Sequence, residues 1–277
     1  MNLKRQLLLV SLLTLVLPWA GYQFIHETES ALRVGQQQML GGTAQAIADS
    51  LSQYPEEFPR GPRGDETVTD QVYGHPLDGS PEVDGYFHDW GLDRTSLREL
   101  RGVDGPIYFA VGVVGESVYL YVEVRDRAVV YAQPGSRTPA SGPTFFDAVS
   151  LINTSPLYLS EEIVFAAEAP GPFRPVRSNE YGIRPDPAII AAGQDTASGD
   201  QVEARSPISK LGTHIGVIGS NTKDSLAAPA RSASFTSRKP GSIVTVAPDL
   251  ETIAANLAQA GMRLIVTDVS GWRIALS

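Results

Sequence analysis

Hydrophobic and polar positions divide the chain into stretches of different period. Residues 6–25 (QLLLVSLLTLVLPWAGYQFI) make an uncharged, leucine-rich run behind Lys4 and Arg5. About twenty helical residues rising ~1.5 Å each match a hydrocarbon core of about 30 Å, so residues 1–25 read as a cytoplasmic tip and membrane anchor. The cationic flank predicts a cytoplasmic N-terminus. A cleaved signal peptide has the same outline, but its only tolerable cleavage site follows Ala20 and sets Pro18 where a small side chain is needed. Trp19 and Tyr22 fall near the outer end, where amphipathic rings favour the headgroup level.

Residues 26–55 carry Leu32, Met39 and Ala46 at heptad spacing, with Leu40, Ile47 and Tyr54 beside them, and predict a membrane-proximal helix that self-associates or packs on its own domain. Gly41 and Gly42 mark a place where it would break, since each glycine costs about 1 kcal/mol in a helix. Residues 56–79 are dense in Pro, Gly and charge and read as a linker. From 80 to 224 the period shortens to that of strands. The runs IYFAVGVV and SVYLYVEVR meet at Gly115-Glu116 in a hairpin, and Val118, Leu120, Val122 and Val124 alternate with Tyr119, Tyr121, Glu123 and Arg125. Short strands at 145–153, 162–167, 201–206 and 214–220 follow, the spacing of an antiparallel β-sandwich. The fold class is thus mainly β. Residues 225–246 read as a second linker, and 247–277 as a small α+β segment. Its helix spans 247–260, with Pro248 and Asp249 in the first turn and Gly261 as the stop. WRIALS then reads as a strand with no partner, which predicts further chain beyond Ser277.

A net charge of −9 with no basic cluster argues against nucleic acid. The absence of cysteine excludes disulfides, thiolate metal sites and cysteine nucleophiles. No G-x-S-x-G or H-E-x-x-H context is present, so no catalytic residue is assigned.

Four ordered stretches carry a resemblance. EVDGYFHDW at 82–90, SVYLYVEVRD at 117–126, FDAVSL at 146–151 and GDQVEARSPI at 199–208 resemble the motifs of family 9 carbohydrate-binding modules and related DOMON-like sandwiches. The N-terminal block LKRQLLLVSLLTLVLPWAGYQFIHETESALR resembles the start of the sensor histidine kinases of the proteobacterial dedicated sortase system, and the resemblance runs on through RLIVTDVSGWRIALS. It implies a single-pass protein of the bacterial inner membrane with its bulk in the periplasm. It also implies a homodimer sensing a glycan or an envelope ligand. ATP, magnesium and a cognate response regulator would be engaged only by a kinase core absent from this chain. His26-Glu27 superficially mimics a phosphorylation box, but sits directly outside the apolar run without the R-x-P sequel, and no ATP-binding motif occurs. The chain alone is therefore expected to be inactive as a kinase. The alternatives are a standalone membrane-tethered carbohydrate-binding or envelope scaffold protein and, if cleaved near Ala20, a secreted accessory module.

Asp84, Gly85, Asp89, Trp90, Asp147 and Glu203 are the structural motif residues that the resemblance identifies. Asp84 and Asp89 are also the candidate ligands for a calcium ion, which related modules bind and which wants several carboxylate and carbonyl oxygens. Asp126 and Asp147 would join them. For sugar stacking, with Trp19 in the anchor, Trp90 in the motif and Trp272 outside the sandwich, the candidate platforms are Tyr131, Tyr181, Tyr108 and Tyr158. Haem is disfavoured because Met39 and Met262 lie outside the sandwich.

Overall fold

The alternation at 106–125 folds as a hairpin whose turn is Gly115-Glu116, with Gly115 at φ 55°. The computed structural model describes residues 3–53, 71–101, 105–126, 128–133, 145–155, 158–179, 181–197, 199–212, 214–223, 230–235, 239–247, 249–258, 263–268 and 271–276, without the side chains of 3–15, 17, 101, 155 and 158–160. It falls into two units, Met1–Pro55 and Glu56–Ser277.

The first unit is one helix, α1 (Leu3–Leu51), which carries the leucine-rich run, Pro18 and the Gly41-Gly42 pair without interruption. The helix ladder continues across both glycines, which add no side-chain conflict and cost too little to break so long an element. Leu32, Met39 and Leu40 are exposed. Among the described residues no helix is long and apolar enough to cross a membrane, and most side chains of the leucine-rich run lie outside them.

The second unit is mainly β. Its strands are β1 (Val72–Pro76), β2 (Arg98–Arg101), β3 (Pro106–Val114), β4 (Ser117–Arg125), β5 (Ala148–Ser155), β6 (Tyr158–Phe165), β7 (Gly171–Phe173), β8 (Val176–Asn179), β9 (Gly182–Pro185), β10 (Ile190–Thr196), β11 (Gly199–Pro207), β12 (His214–Asn221), β13 (Ala230–Ala233), β14 (Gly241–Thr245), β15 (Ile265–Thr267) and β16 (Arg273–Leu276). One helix, α2 (Asp249–Leu257), stands where the period predicts it. One half of the main sheet runs β7-β10-β11-β4-β3-β1, with β2 also on β3. The other runs β12-β5-β6-β8-β9, with β13 on β12. Strand β14 joins them, pairing parallel with β1 and antiparallel with β12, so a 14-stranded sheet curls over its own core.

Val118, Leu120, Val122 and Val124 of β4 face that core with Phe109, Val111, Leu151, Ile163, Phe165 and Val217. The alternate residues Tyr119 and Tyr121 are equally buried, because 77–97 folds back over the outer face of the sheet and packs Leu77, Phe87 and Trp90 onto them. Four expectations are corrected here. The stretch 56–79, read as a linker, contains the central strand β1, whose five residues VYGHP are too short and too Gly/Pro-rich for a periodic signal. The stretch 225–246 likewise contains β13 and the bridging strand β14. Trp272 belongs to the sandwich core: it is buried against Tyr73 and Phe109, at 4.8 and 5.5 Å between ring centroids, beneath the Arg98 guanidinium. WRIALS has a partner in β15, and Leu250 and Ala254 of α2 are buried beside it.

Candidate functional site

Two polar assemblies stand out, one closed and one open. The closed one gathers the motif residues. Glu203 on β11 is fully buried on the outer face of the sheet, level with Tyr121 of β4. Its Oε2 accepts the N–H groups of Asp84 and Gly85 at 3.1 Å each, and its Oε1 accepts the Trp90 indole N–H at 2.9 Å. Asp84 and Asp89 each accept a backbone N–H of the same loop, from Tyr86 at 2.8 Å and Glu82 at 2.7 Å. Gly85 has φ 95°, and a Cβ there would meet the Gln194 side chain, so the turn both needs and admits only glycine. Burial pushes the Glu203 carboxyl up to about 7, against the three N–H donors that favour its ionised form. This is a lock that fastens the 82–90 loop to the sheet. The carboxylates of Asp84 and Asp89 are engaged in its turns, and among the described residues no three acidic, His or Cys side chains are arranged to hold a metal ion.

The open assembly arises where the core face of the second half-sheet runs out. Across one row of that sheet the paired residues are Leu151, Ile163, Arg177 and Arg184, apolar at the centre and cationic at the edge. Two residues along, Asn153 and Glu161 continue the same face. With Asp186, Lys210 and Gly212 from two connecting loops, they line a cleft of about 670 Å³. Arg177 is buried at its floor. Its guanidinium donates to Asp186 Oδ2 at 2.7 Å, to Glu161 Oε2 and to the Lys210 carbonyl at 3.4 Å. Asn179 Nδ2 donates to the other Glu161 oxygen at 3.0 Å, and Asn153 bridges the Lys210 carbonyl and the Gly212 N–H. Burial pushes Glu161 up, but Asn179, Arg177 and Arg184 outweigh it and hold the carboxyl below its usual range. The arrangement is rigid at the floor and open at the mouth. It has the size of a small-ligand site and no nucleophile–base pair.

A third cluster ties the loops at the far end of β11. Asp147 accepts the N–H groups of Val130 at 2.7 Å and Thr222 at 2.5 Å, and burial raises its pKa to about 6. Nearby Asp200 is raised to about 7 by burial and by Asp147, Asp126 and Asp195.

The structure therefore brings Asp84, Gly85, Asp89, Trp90 and Glu203 together and leaves Asp147 in a separate cluster. Of the four tyrosines, the three whose side chains are described have different neighbours. Tyr108 lies under the Arg125 guanidinium at 4.9 Å, Tyr131 donates to Asp195, and Tyr181 is exposed beyond β8. The Tyr158 side chain lies outside the described residues. Tyr108, Tyr131 and Tyr181 are not among the residues that line the cleft. The cleft residues escaped the sequence reading because Arg177, Asp186 and Lys210 sit in short polar strands and turns, a context that marks no ligand by itself. The available signal was the switch from Ile163 to Glu161 on one face of one strand.

No family model matches the chain, and no curated protein matches it. Among solved structures, a family 9 carbohydrate-binding module from Caldicellulosiruptor kristjanssonii in complex with glucose is similar over 63% of this chain and 95% of that one, at 15% identity and a TM-score of 0.41. A putative carbohydrate-binding protein from Bacteroides uniformis is similar over 64% and 99%, at 11% identity and a TM-score of 0.40. Neither likeness decides what this chain binds.

Proposed function

We propose that this chain is the ligand-binding and sensing region of a membrane-bound receptor of the two-component type. Its β unit would sit outside the inner membrane, and the cleft would be the ligand site. The observation that carries the binding reading is the cleft itself. A buried guanidinium with two carboxylates and a carbonyl around it makes a fixed polar floor, while the exposed side chains at the mouth leave the space accessible. The apolar run in α1 supports the anchor, and the exposed Leu32, Met39 and Leu40 support a helix that pairs with a second copy. Ligand shifts such a receptor only through different affinity for two arrangements. The bistable element in this reading is the membrane-proximal part of α1 acting with the C-terminal segment.

The native chain has no cysteine, so a Met39→Cys variant reports on α1 alone. The expected result, in membranes, is oxidative cross-linking to a dimer at a rate that changes when saccharides are added. A strictly monomeric, saccharide-insensitive chain would overturn the sensor reading. A saccharide that binds without changing the cross-linking would leave a tethered binding protein.

A further inference from the structure

We propose that the cleft takes an anionic saccharide, a ligand of one or two rings whose carboxylate or sulfate is held by Arg184 and Lys210. The proposal rests on the reading of the cleft as the ligand site. It follows from how the charges lining the cleft are used. Asp186 and Glu161 both bond to Arg177, and the second Glu161 oxygen is taken by Asn179. Arg184 faces Glu161 closely enough to lower its pKa, yet among the described residues neither Arg184 nor Lys210 has a carboxylate within ion-pair distance. Both are exposed and both line the opening. Two cations left over in one cleft, on a chain of net charge −9, call for an anion from outside.

The rest of the lining indicates a sugar. Among the described side chains that line the cleft none is aromatic, so none of them offers a neutral sugar a stacking face. Glu161 and Asp186 keep spare lone pairs for hydroxyl donors, since a carboxylate accepts about four hydrogen bonds. The volume of about 670 Å³ falls within the ordinary range for small-ligand pockets.

The test titrates the 277-residue chain in nanodiscs with digalacturonate, galactose 6-sulfate and neutral cellobiose by calorimetry. Binding of one of the anionic probes at least about ten-fold tighter than cellobiose is expected, falling several-fold as salt rises from about 0.05 to 0.5 M. Arg184→Gln and Lys210→Gln should each weaken it about ten-fold. Both residues are exposed, so these variants keep the fold, which circular dichroism verifies. Equal affinity for cellobiose, no binding of either anion, or anion binding unmoved by both substitutions would overturn the proposal. Arg177→Met separates it from the reading beneath it. Neutral-sugar binding abolished by that change keeps the cleft as the site and removes only the anionic ligand. Binding that survives it lies elsewhere and removes both.

Discussion

The lock at Glu203 and the cleft at Arg177 each place one buried charge at the edge of a hydrophobic layer, and they resolve it in opposite ways. Glu203 is a carboxylate with no cation among its bonded partners. It is served by backbone and indole N–H groups that the chain folds over it, and Phe87 and Trp90 roof the result against Tyr119 and Tyr121. Arg177 is a cation held between two acids and a carbonyl, and none of the described residues roofs it. The chain has filled the first space with its own loop, while among the described residues the second lies open. A buried group that organises the chain around itself marks architecture; one that floors an open space marks a place for something else.

The largest effect that breaks the comparison is expected at the lock. Glu203→Ala leaves the N–H groups of Asp84, Gly85 and Trp90 buried without an acceptor, and should lower stability by about 3–5 kcal/mol with a red shift of tryptophan emission on chemical denaturation. Arg177→Met strands Glu161 and Asp186 and should cost about 3 kcal/mol on chemical denaturation, while leaving the tryptophan emission of the folded state unchanged. Gly112→Ala sharpens the closed face by overfilling it, because a Cβ there would lie 2.5 Å from Leu77 Cδ1 and 3.0 Å from Trp90; about 1–3 kcal/mol is expected. Arg184→Gln should stay within about 0.5 kcal/mol, since the side chain is exposed and its charge acts on Glu161 only across an open cleft.

The two regions also answer pH with opposite sign. Glu203 has its folded pKa raised to about 7, so the folded state holds the proton more tightly; its contribution is present below about 4.5 and is lost as pH rises through about 7. Asp147 and Asp200, raised to about 6 and about 7, act in the same direction. The pKa of Glu161 is depressed, so its contribution is present above the ordinary glutamate value of 4.5 and is lost as pH falls below it. Amide exchange, corrected for its intrinsic pH dependence, should show 82–90 opening more as pH rises from 6 to 8. Residues 177–188 should open only under acid. Asp200→Asn should flatten the alkaline loss of stability without touching the acid limb.

How legible each region was follows from its chemistry. The residues of the lock were reached through the resemblance that EVDGYFHDW and GDQVEARSPI carry, and not through periodicity: 82–90 is a loop and β11 mixes Asp, Gln, Glu and Arg with its apolar residues. The hairpin β3–β4 was visible in its alternation, although the second face of β4 proved covered by the 77–97 loop, which no local pattern announces. The strands β1 and β14 were illegible because each holds five residues flanked by Gly or Pro, and their pairing is parallel and distant in sequence. Trp272 is buried through contacts with residues far away in the chain, among them Tyr73, Arg98 and Phe109. The cleft combines both difficulties, using common polar residues on short edge strands.

The most direct test of the account is amide exchange of the 277-residue chain with and without saturating digalacturonate. The account predicts protection confined to 177–188 and 208–212, around Arg177 and Lys210, with 82–90 unchanged. Protection at 82–90 instead, or none at the cleft while calorimetry records binding, would contradict it.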